Sequence, residues 1–396
     1  MNDNSNDNDI PREEFIRRAR DLAPVLRARA AKAEADRRIP DETHQAFVEA
    51  GFYKLLQPKH FGGFERDFSL VIDVAAELGR GCGSSCWIFS NIVNYGLVTG
   101  MKDPRAQEEV WGDNPDALLA SAQPGPESRV TFVDGGVLVD GIWNFASGVD
   151  FADWVNLNIY NRPDNGPPEH RFVQVHKSDY EVIDNWFVTG LSATGSRSVK
   201  VNELFVPDYR AMSSFDVRGG PTPGSAVNPG VLYRLPFWGI GAKLFAAPAV
   251  GIARGALELT EDDLASRKGM SGAKLWEEPS VQVRLAESGG EIESSWALIN
   301  RDAGDAWRMT EDGESPTMLQ RASWRRNNSY AVMACVRAVD RLHGLAGMRA
   351  MQADSHVQRT WRDIHAVASQ VAVIWDMAAS NYGRARFDLP ITDPRV

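Results

Sequence analysis

The sequence is poor in cysteine and carries no excess of positive charge. Its 396 residues include three cysteines, and 43 basic residues stand against 53 acidic ones, a formal net charge of −10 at pH 7. Three cysteines do not make a disulfide framework and fit a reducing compartment. A negative net charge argues against a nucleic-acid partner, because a phosphate backbone is bound by a basic surface.

Long apolar runs and targeting signals are also missing. No stretch approaches about 18 consecutive apolar residues, which argues against a membrane span. Residues 1–9 are rich in Asn, Asp and Ser and lack the basic and apolar regions of a signal peptide, so they are predicted to be a disordered tail. These absences predict a cytoplasmic protein with neither a membrane nor a nucleic-acid partner.

No metal or nucleotide motif stands out. The spacing of Cys82 and Cys86, with no histidine beside them, favours small core residues over metal ligands, and the seven histidines are scattered. The glycines at 79, 81 and 83 are spaced like a nucleotide loop, but they follow a helical pattern instead of a strand. We therefore predict no metal and no dinucleotide-binding motif.

The hydrophobic period divides the chain into three parts. Residues 10–116 have helical spacing, residues 117–212 alternate as strands do, and residues 236–396 are helical again after a Gly/Pro-rich linker at 213–235. Asp41 is a plausible N-cap for a helix ending near Gly51, and buried helices are expected at 68–78 and 87–101. A hairpin is expected at 130–139. The last part has four long segments, as a four-helix bundle does, at 243–268, 279–309, 317–345 and 356–385.

Four segments in this order resemble motifs of a known superfamily. They are 141–148, 189–196, 265–287 and 358–366. The first three resemble the flavin motifs and first bundle helix of the acyl-CoA dehydrogenase superfamily in its oxygenase form. The fourth is similar to a signature of two-component, group D flavin-dependent monooxygenases. The resemblance implies a mainly α, acyl-CoA dehydrogenase-like fold with an N-terminal α domain, a middle β-barrel-like domain, a C-terminal four-helix bundle and a homotetrameric assembly.

The resemblance also implies a site for reduced flavin, either FADH2 or FMNH2. A flavin ring needs a flat apolar wall and hydrogen bonds to its polar edge. Arg267 resembles an arginine that reaches the flavin phosphate region of a neighbouring subunit. Each assignment has a structural alternative: a core tryptophan, a turn or a solvated arginine. The expected flavin residues are Trp143 and Ser147 on one strand, Thr194 and Ser196 on another, Arg267 and Gly347.

Two chemistries of the superfamily are partly separable from the sequence. A dehydrogenase needs a carboxylate base, and no glutamate in the expected context follows His365. An oxygenase needs reduced flavin, O2 and a dry site that preserves a C4a-hydroperoxyflavin, for which Ser147 is the first candidate hydrogen-bond donor. We therefore expect a flavin-dependent monooxygenase supplied by a separate NAD(P)H-dependent flavin reductase. An acyl-CoA dehydrogenase with a displaced base and an inactive flavin-storing scaffold are the alternatives.

The sequence departs from the phenol-hydroxylating members where they carry a catalytic histidine. That position is Gln370 here, and a second histidine is replaced near Asn94. His365 is expected to point elsewhere, because five residues correspond to roughly 140° around a helix. Gln370 and Asn94 hydrogen-bond but do not titrate. The substrate is therefore expected to be a small electron-rich aromatic such as an indole or phenol, with N- or S-oxygenation as the alternative. The expected pocket residues, each alternatively a core residue, are Trp87, Tyr95, Trp186 and Trp238.

Overall fold

The computed structural model describes residues 10–161, 169–268, 272 and 274–393, so the predicted tail at 1–9 lies outside the described residues. Two helical regions flank a sheet. The N-terminal helices are α1 (Arg12–Asp36), α2 (Asp41–Glu49), α3 (Phe68–Gly79), α4 (Gly83–Gly100) and α5 (Pro104–Trp111). Every residue of α4 is buried and α3 is buried along most of its length, as expected of helices that are apolar on all sides. The two predicted buried helices are confirmed.

The start of α2 differs from the prediction. Pro40 occupies the N-cap position and Asp41 is the first helical residue, where its carboxylate lies near the positive end of the helix dipole. The helix ends at Glu49, and Gly51 follows with φ of 74°. In α3 the cap is a side chain, since Asp67 accepts hydrogen bonds from Ser69 N and Leu70 N.

The middle of the chain forms a mixed sheet. Within the described residues its strands are ordered β6-β7-β3-β1-β4-β5-β8, with β2 beside β3. The pairs are antiparallel except β1 with β4. The predicted hairpin is confirmed, because Val130 pairs with Val139. The strands are β1 (Leu119–Pro124), β2 (Arg129–Val133), β3 (Gly136–Ala146), β4 (Trp154–Asn161), β5 (Glu169–His176), β6 (Glu181–Ile183), β7 (Arg197–Pro207) and β8 (Ala211–Ser213).

The C-terminal region contains the long helices predicted from the sequence. They are α6 (Phe237–Ile240), α7 (Lys243–Ser266), α8 (Pro279–Glu311), α9 (Met318–Ala346), α10 (His356–Ala368) and α11 (Trp375–Arg386). The prediction of one helix over 356–385 is wrong, because a 3-10 turn at Val371–Val373 separates α10 from α11. The side chain of Gln370 accepts a hydrogen bond from Ala372 N, and Gln370 and Ile374, on either side of the turn, have extended backbone with ψ of 130° and 121°.

Close contact between α3 and α7 depends on two glycines. A Cβ atom on Gly79 would lie 2.8 Å from the Cα of Gly251, so neither position has room for a side chain. Gly79 ends α3 and Gly83 begins α4, which explains the glycine spacing by helix packing. All three cysteines are buried thiols, and the prediction of Cys82 and Cys86 as core residues is confirmed.

One segment of the described residues is apolar enough to be compared with a membrane helix. Phe237–Ser266 is long and apolar enough to cross a membrane, but 89% of its most apolar 18-residue stretch is buried inside the protein. It packs against α3, α9 and α10. The segment is therefore buried as a core helix of the fold.

Candidate active site

A cavity of about 620 Å³ lies where the sheet meets α4 and the turn between α10 and α11. Hydroxyl groups line one part of its wall and aromatic rings line another. This cavity, called here the large cavity, brings together five of the residues selected from the sequence: Trp87, Ser147, Trp186, Thr194 and Ser196, with Gln370 at its border.

Three hydroxyl groups form a hydrogen-bonded line along the wall. Trp87 Nε1 donates to Ser147 Oγ (3.1 Å), Ser147 Oγ lies 2.7 Å from Ser196 Oγ, and Ser196 Oγ lies 2.7 Å from Thr194 Oγ1. Thr194 gives its proton to the carbonyl of Leu191 (2.8 Å). Because each hydroxyl has one proton, Ser196 donates to Thr194 and Ser147 donates to Ser196. The line therefore has a fixed direction.

Turns place these hydroxyls together. Ser147 directly follows β3, Thr194 ends a 3-10 turn, and Ser196 precedes β7, so the prediction that these side chains stand on strands is wrong. Gly148 (φ 76°) and Gly195 (φ 52°) adopt the left-handed conformation that these turns require. Gly148 N donates to Thr194 O (3.2 Å), which holds the two turns against each other.

Trp143 does not face the large cavity, in contrast to the prediction of a flavin wall. It is fully buried in the core of the sheet, where its Nε1 donates to Asn158 O (3.0 Å). The register of β3 shifts between Trp143 and Ala146, so strict alternation fails there. Phe145 lies in this bulge with φ of 65°, an uncommon conformation for a bulky residue, and lines the cavity.

Phe145 is a residue that the sequence prediction missed. The residue is 59% exposed, and its ring meets Trp186 edge to face, with ring centroids 6.2 Å apart. Phe145 lies within the segment 141–148 that carried the resemblance, but regular strand alternation places Trp143 and Phe145 on the same face and gave no reason to choose Phe145. Recognition of a β-bulge between Trp143 and Ala146 would have identified it.

A smaller chamber of about 40 Å³ adjoins the large cavity and shares Gln123, Gln370 and Val371 with it. Five aromatic side chains line it, and Trp238 stacks on Phe172 at 5.4 Å with an interplanar angle of 14°. The predicted catalytic positions Asn94 and Gln370 lie here together with the predicted pocket residues Tyr95 and Trp238. The lining includes Asn94, Tyr95, Phe172, Phe237, Trp238 and Phe245. Burial raises the pKa of Tyr95 to about 12, so its phenol is neutral.

The loop that carries Thr194 is anchored to α10. Asp363 accepts a hydrogen bond from Leu191 N (2.7 Å), and Leu191 has φ of 53°. Burial raises the pKa of Asp363 to about 6. Close by, Glu34 binds Arg359 Nε (2.8 Å) and also pairs with Arg362, so α1, α10 and the loop share one polar contact region.

Gln370 lies at the border between the two cavities, whereas His365 lies elsewhere. His365 Nε2 is 3.0 Å from Asp340, and its ring packs against Trp361 at 4.7 Å. The expected divergence of the two side chains is correct, but its reason differs. Because α10 ends at Ala368, no helical angle connects His365 with Gln370.

Arg267 and Gly347 lie together and outside the lining of the large cavity. Arg267 Nη1 binds Asp263 (2.8 Å) and the carbonyls of Leu345 (3.3 Å) and Ala346 (3.4 Å). Gly347 follows these carbonyls with φ of 62° and caps α9. Within one subunit the two residues stabilise a helix end.

The large cavity has the chemical features that a flavin ring needs. Its volume exceeds that of a planar tricyclic ring, its hydroxyls suit the polar edge of such a ring, and its aromatic side chains suit the faces. Helices before and after a mixed sheet, with this cavity between them, define a flavoenzyme of the acyl-CoA dehydrogenase fold.

Comparison with known proteins identifies the family. Residues 12–102 match the acyl-CoA dehydrogenase N-terminal domain and residues 243–374 the C-terminal domain. The flavin-dependent monooxygenase oxygenase subunit HsaA of Mycobacterium tuberculosis is 33% identical over 95% of both chains. The FADH2-dependent resorcinol hydroxylase oxygenase component of Rhizobium sp. is 29% identical over 96% of this chain and 95% of its own. The crystal structure of 3-HSA hydroxylase from Rhodococcus sp. RHA1 superposes with a TM-score of 0.91 at 32% identity, covering 98% of this chain and 100% of that one.

The chain therefore belongs to the oxygenase components of the flavin-dependent monooxygenases, a family built on the acyl-CoA dehydrogenase fold. The predicted fold class, the monooxygenase activity and the use of reduced flavin with O2 are confirmed. The same finding favours the oxygenase over the acyl-CoA dehydrogenase alternative.

Proposed function

We propose that the large cavity holds reduced flavin, FADH2 or FMNH2, and that the enzyme oxygenates a small electron-rich aromatic such as an indole or a phenol. In this chemistry the flavin reacts with O2 to give a C4a-hydroperoxyflavin, which transfers one oxygen atom to the substrate. The observation that carries the proposal is the meeting of Ser147, Ser196 and Thr194 against Trp87 on one wall of a cavity of about 620 Å³.

The chain's own residues have distinct roles in this proposal. Ser147 turns its hydroxyl to the flavin edge as a donor, with Ser196 and Thr194 behind it. Gln370 and Asn94 stand where the substrate meets the flavin, and they orient it by hydrogen bonds without taking a proton. Because neither group titrates, the proposal favours substrates that are already nucleophilic.

The proposed partners follow from the chemistry. The relatives are oxygenase subunits or components, which supports a separate NAD(P)H-dependent flavin reductase for this chain. We further propose a homotetramer in which Arg267 and Gly347 approach the flavin of a neighbouring subunit. The C-terminal end of α9 presents Met348, which is 83% exposed, as a suitable contact surface.

An anaerobic titration tests the proposal. Purified protein is titrated with FMNH2 and with FADH2, then mixed with O2 and a panel of indoles, phenols, amines and sulfides. We expect tight binding of one of the two reduced flavins. After mixing with O2, a transient species should appear with the absorption spectrum of a C4a flavin adduct, and an indole or phenol should be oxygenated. Absence of affinity for both reduced flavins contradicts the proposal. Turnover confined to amines or sulfides contradicts the aromatic substrate class and favours N- or S-oxygenation.

A further inference from the structure

Two residues that line the small chamber carry buried polar atoms without hydrogen-bond partners among the described residues. Asn94 is 2% exposed, and its Oδ1 accepts no hydrogen bond within the described part of the chain. Trp238 Nε1 is also buried and has no acceptor there. Leaving such groups unsatisfied costs free energy, so the chamber is suited to a ligand group that both donates and accepts.

The size of the chamber limits what enters it. A volume of about 40 Å³ holds a few water-sized groups and not an aromatic ring. The chamber shares Gln123, Gln370 and Val371 with the large cavity. A ring at this shared border therefore points one small substituent into the chamber, toward Asn94 and Trp238.

A buried ion pair closes the chamber on the side of α9. Arg325, the charged residue among those that line the chamber, has its Nη2 2.8 Å from Asp393 Oδ2. Their side chains are 2% and 3% exposed. The charge of Arg325 is thus matched by a carboxylate of the same chain, and a second carboxylate brought by a ligand adds a charge in a dry space.

We propose that the chamber receives a neutral hydroxyl or ring N–H group of the substrate, and that Asp393 excludes aromatic carboxylates by matching the charge of Arg325. This inference rests on the proposed function, because it assigns the chamber to the inner end of the substrate site. Trp238 Nε1 donates to the substituent and Asn94 Oδ1 accepts from it. Asp393 touches no substrate and acts through Arg325 as a specificity-determining residue.

Equilibrium binding of two ligands of similar size tests the inference. Full-length protein, with reduced flavin under anaerobic conditions and again without flavin, is titrated with phenol and with benzoate, and tryptophan fluorescence reports binding. We expect wild type to bind phenol at least about ten-fold more tightly than benzoate. In Asp393→Asn the affinity for benzoate rises about ten-fold, and that for phenol changes less than about three-fold.

Matched variants separate specificity from folding. Asp388→Asn changes an exposed carboxylate of the same segment and leaves the ratio of affinities unchanged. Trp238→Phe keeps the ion pair between Arg325 and Asp393 and lowers the affinity for phenol about five-fold. The inference therefore stays testable even if Asp393→Asn fails to fold. Equal affinities in wild type, or an unchanged ratio in Asp393→Asn together with unaltered phenol binding in Trp238→Phe, overturn it. Loss of flavin binding alone contradicts the proposed function instead, because the flavin-free titration still reports on the chamber.

Discussion

The indole Nε1 of Trp87 donates a hydrogen bond of 3.1 Å to Ser147 Oγ, and this contact joins α4 to the end of β3. Ser147 in turn gives its proton to Ser196, 2.7 Å away. The hydroxyl is therefore oriented from two sides by residues of different parts of the fold. To donate to a flavin, Ser147 must release Ser196, and Trp87 keeps its oxygen in place while it does so.

Trp87→Phe is expected to weaken binding of reduced flavin about five-fold, since it removes one hydrogen bond that orients Ser147 but keeps an aromatic ring. Anaerobic titration measures the change. Trp111→Phe is the matched control, because Trp111 Nε1 donates to Ala117 O (3.2 Å) outside the large cavity. Equal flavin affinities in the two variants would contradict the role given to Trp87.

Ser147→Ala is expected to raise the hydrogen peroxide released per flavin oxidised and to reduce product formation by about 100-fold, because it removes the hydroxyl that we propose as the donor to the flavin edge. Thr194→Val removes the hydroxyl at the far end of the line, which accepts from Ser196 and donates to Leu191 O, and has a smaller effect. Product and peroxide are quantified in single turnovers. Ser295→Ala removes a buried hydroxyl that donates to Glu291 O in α8, and it should leave the ratio of peroxide to product unchanged. Full coupling in Ser147→Ala would sink the assignment.

Gln370→His is expected to add a base at the border of the two cavities. A histidine there takes a phenol proton only when neutral, so kcat/KM for phenols should rise with pH through about 6.5. Steady-state kinetics from pH 5.5 to pH 8.5 provide the profile. Gln370→Leu, which removes the amide without adding a base, should show no such rise. A profile identical to that of wild type would place residue 370 away from the substrate.

Asp363 gives a pH dependence of stability with a defined sign. Burial raises its pKa to about 6, so between about pH 4 and pH 6 the folded chain binds more protons than the unfolded chain. Stability from this group is therefore highest at low pH and falls as pH rises to about 6, by roughly 3 kcal/mol at most. Asp363→Asn keeps an oxygen for Leu191 N–H and should flatten this fall.

Urea unfolding at pH 4.5 and pH 7.5 measures the effect of Asp363→Asn. The change in unfolding free energy between the two pH values should differ from that of wild type by about 1–3 kcal/mol. Asp376→Asn alters an exposed carboxylate of α11 and serves as the control. An unchanged difference in Asp363→Asn would show that this carboxyl is not destabilised by burial.

Gly79→Ala is expected to lower the free energy of unfolding by about 1–3 kcal/mol, because its Cβ would overlap Gly251 and push α3 from α7. Urea denaturation gives the value. Gly290→Ala, at an exposed position of α8 with no atom within 4 Å of the new Cβ, should gain up to about 1 kcal/mol from helix propensity. Equal stability of both variants would argue against close packing of the two helices.

The sequence was sufficient for the order of helices and strands, because long periodic segments depend on local hydrophobic pattern. It also identified Ser147, Thr194 and Ser196, which the fold brings into one hydrogen-bonded line. It failed where the backbone departs from regular geometry. The bulge in β3 turns Trp143 into the sheet, and the turn after α10 moves Gln370 off the helix; neither irregularity has a periodic signal.

The hydrogen bond from Leu191 to Asp363 spans 172 positions of the chain. The ribosome therefore synthesises the anchor in α10 long after the loop that this anchor holds. A nascent chain that has already folded its sheet still lacks the anchor for the loop that bears Thr194. Until α10 has folded against it, the turn that carries Thr194 lacks this contact, so the three hydroxyls of the wall depend on two distant parts of the chain.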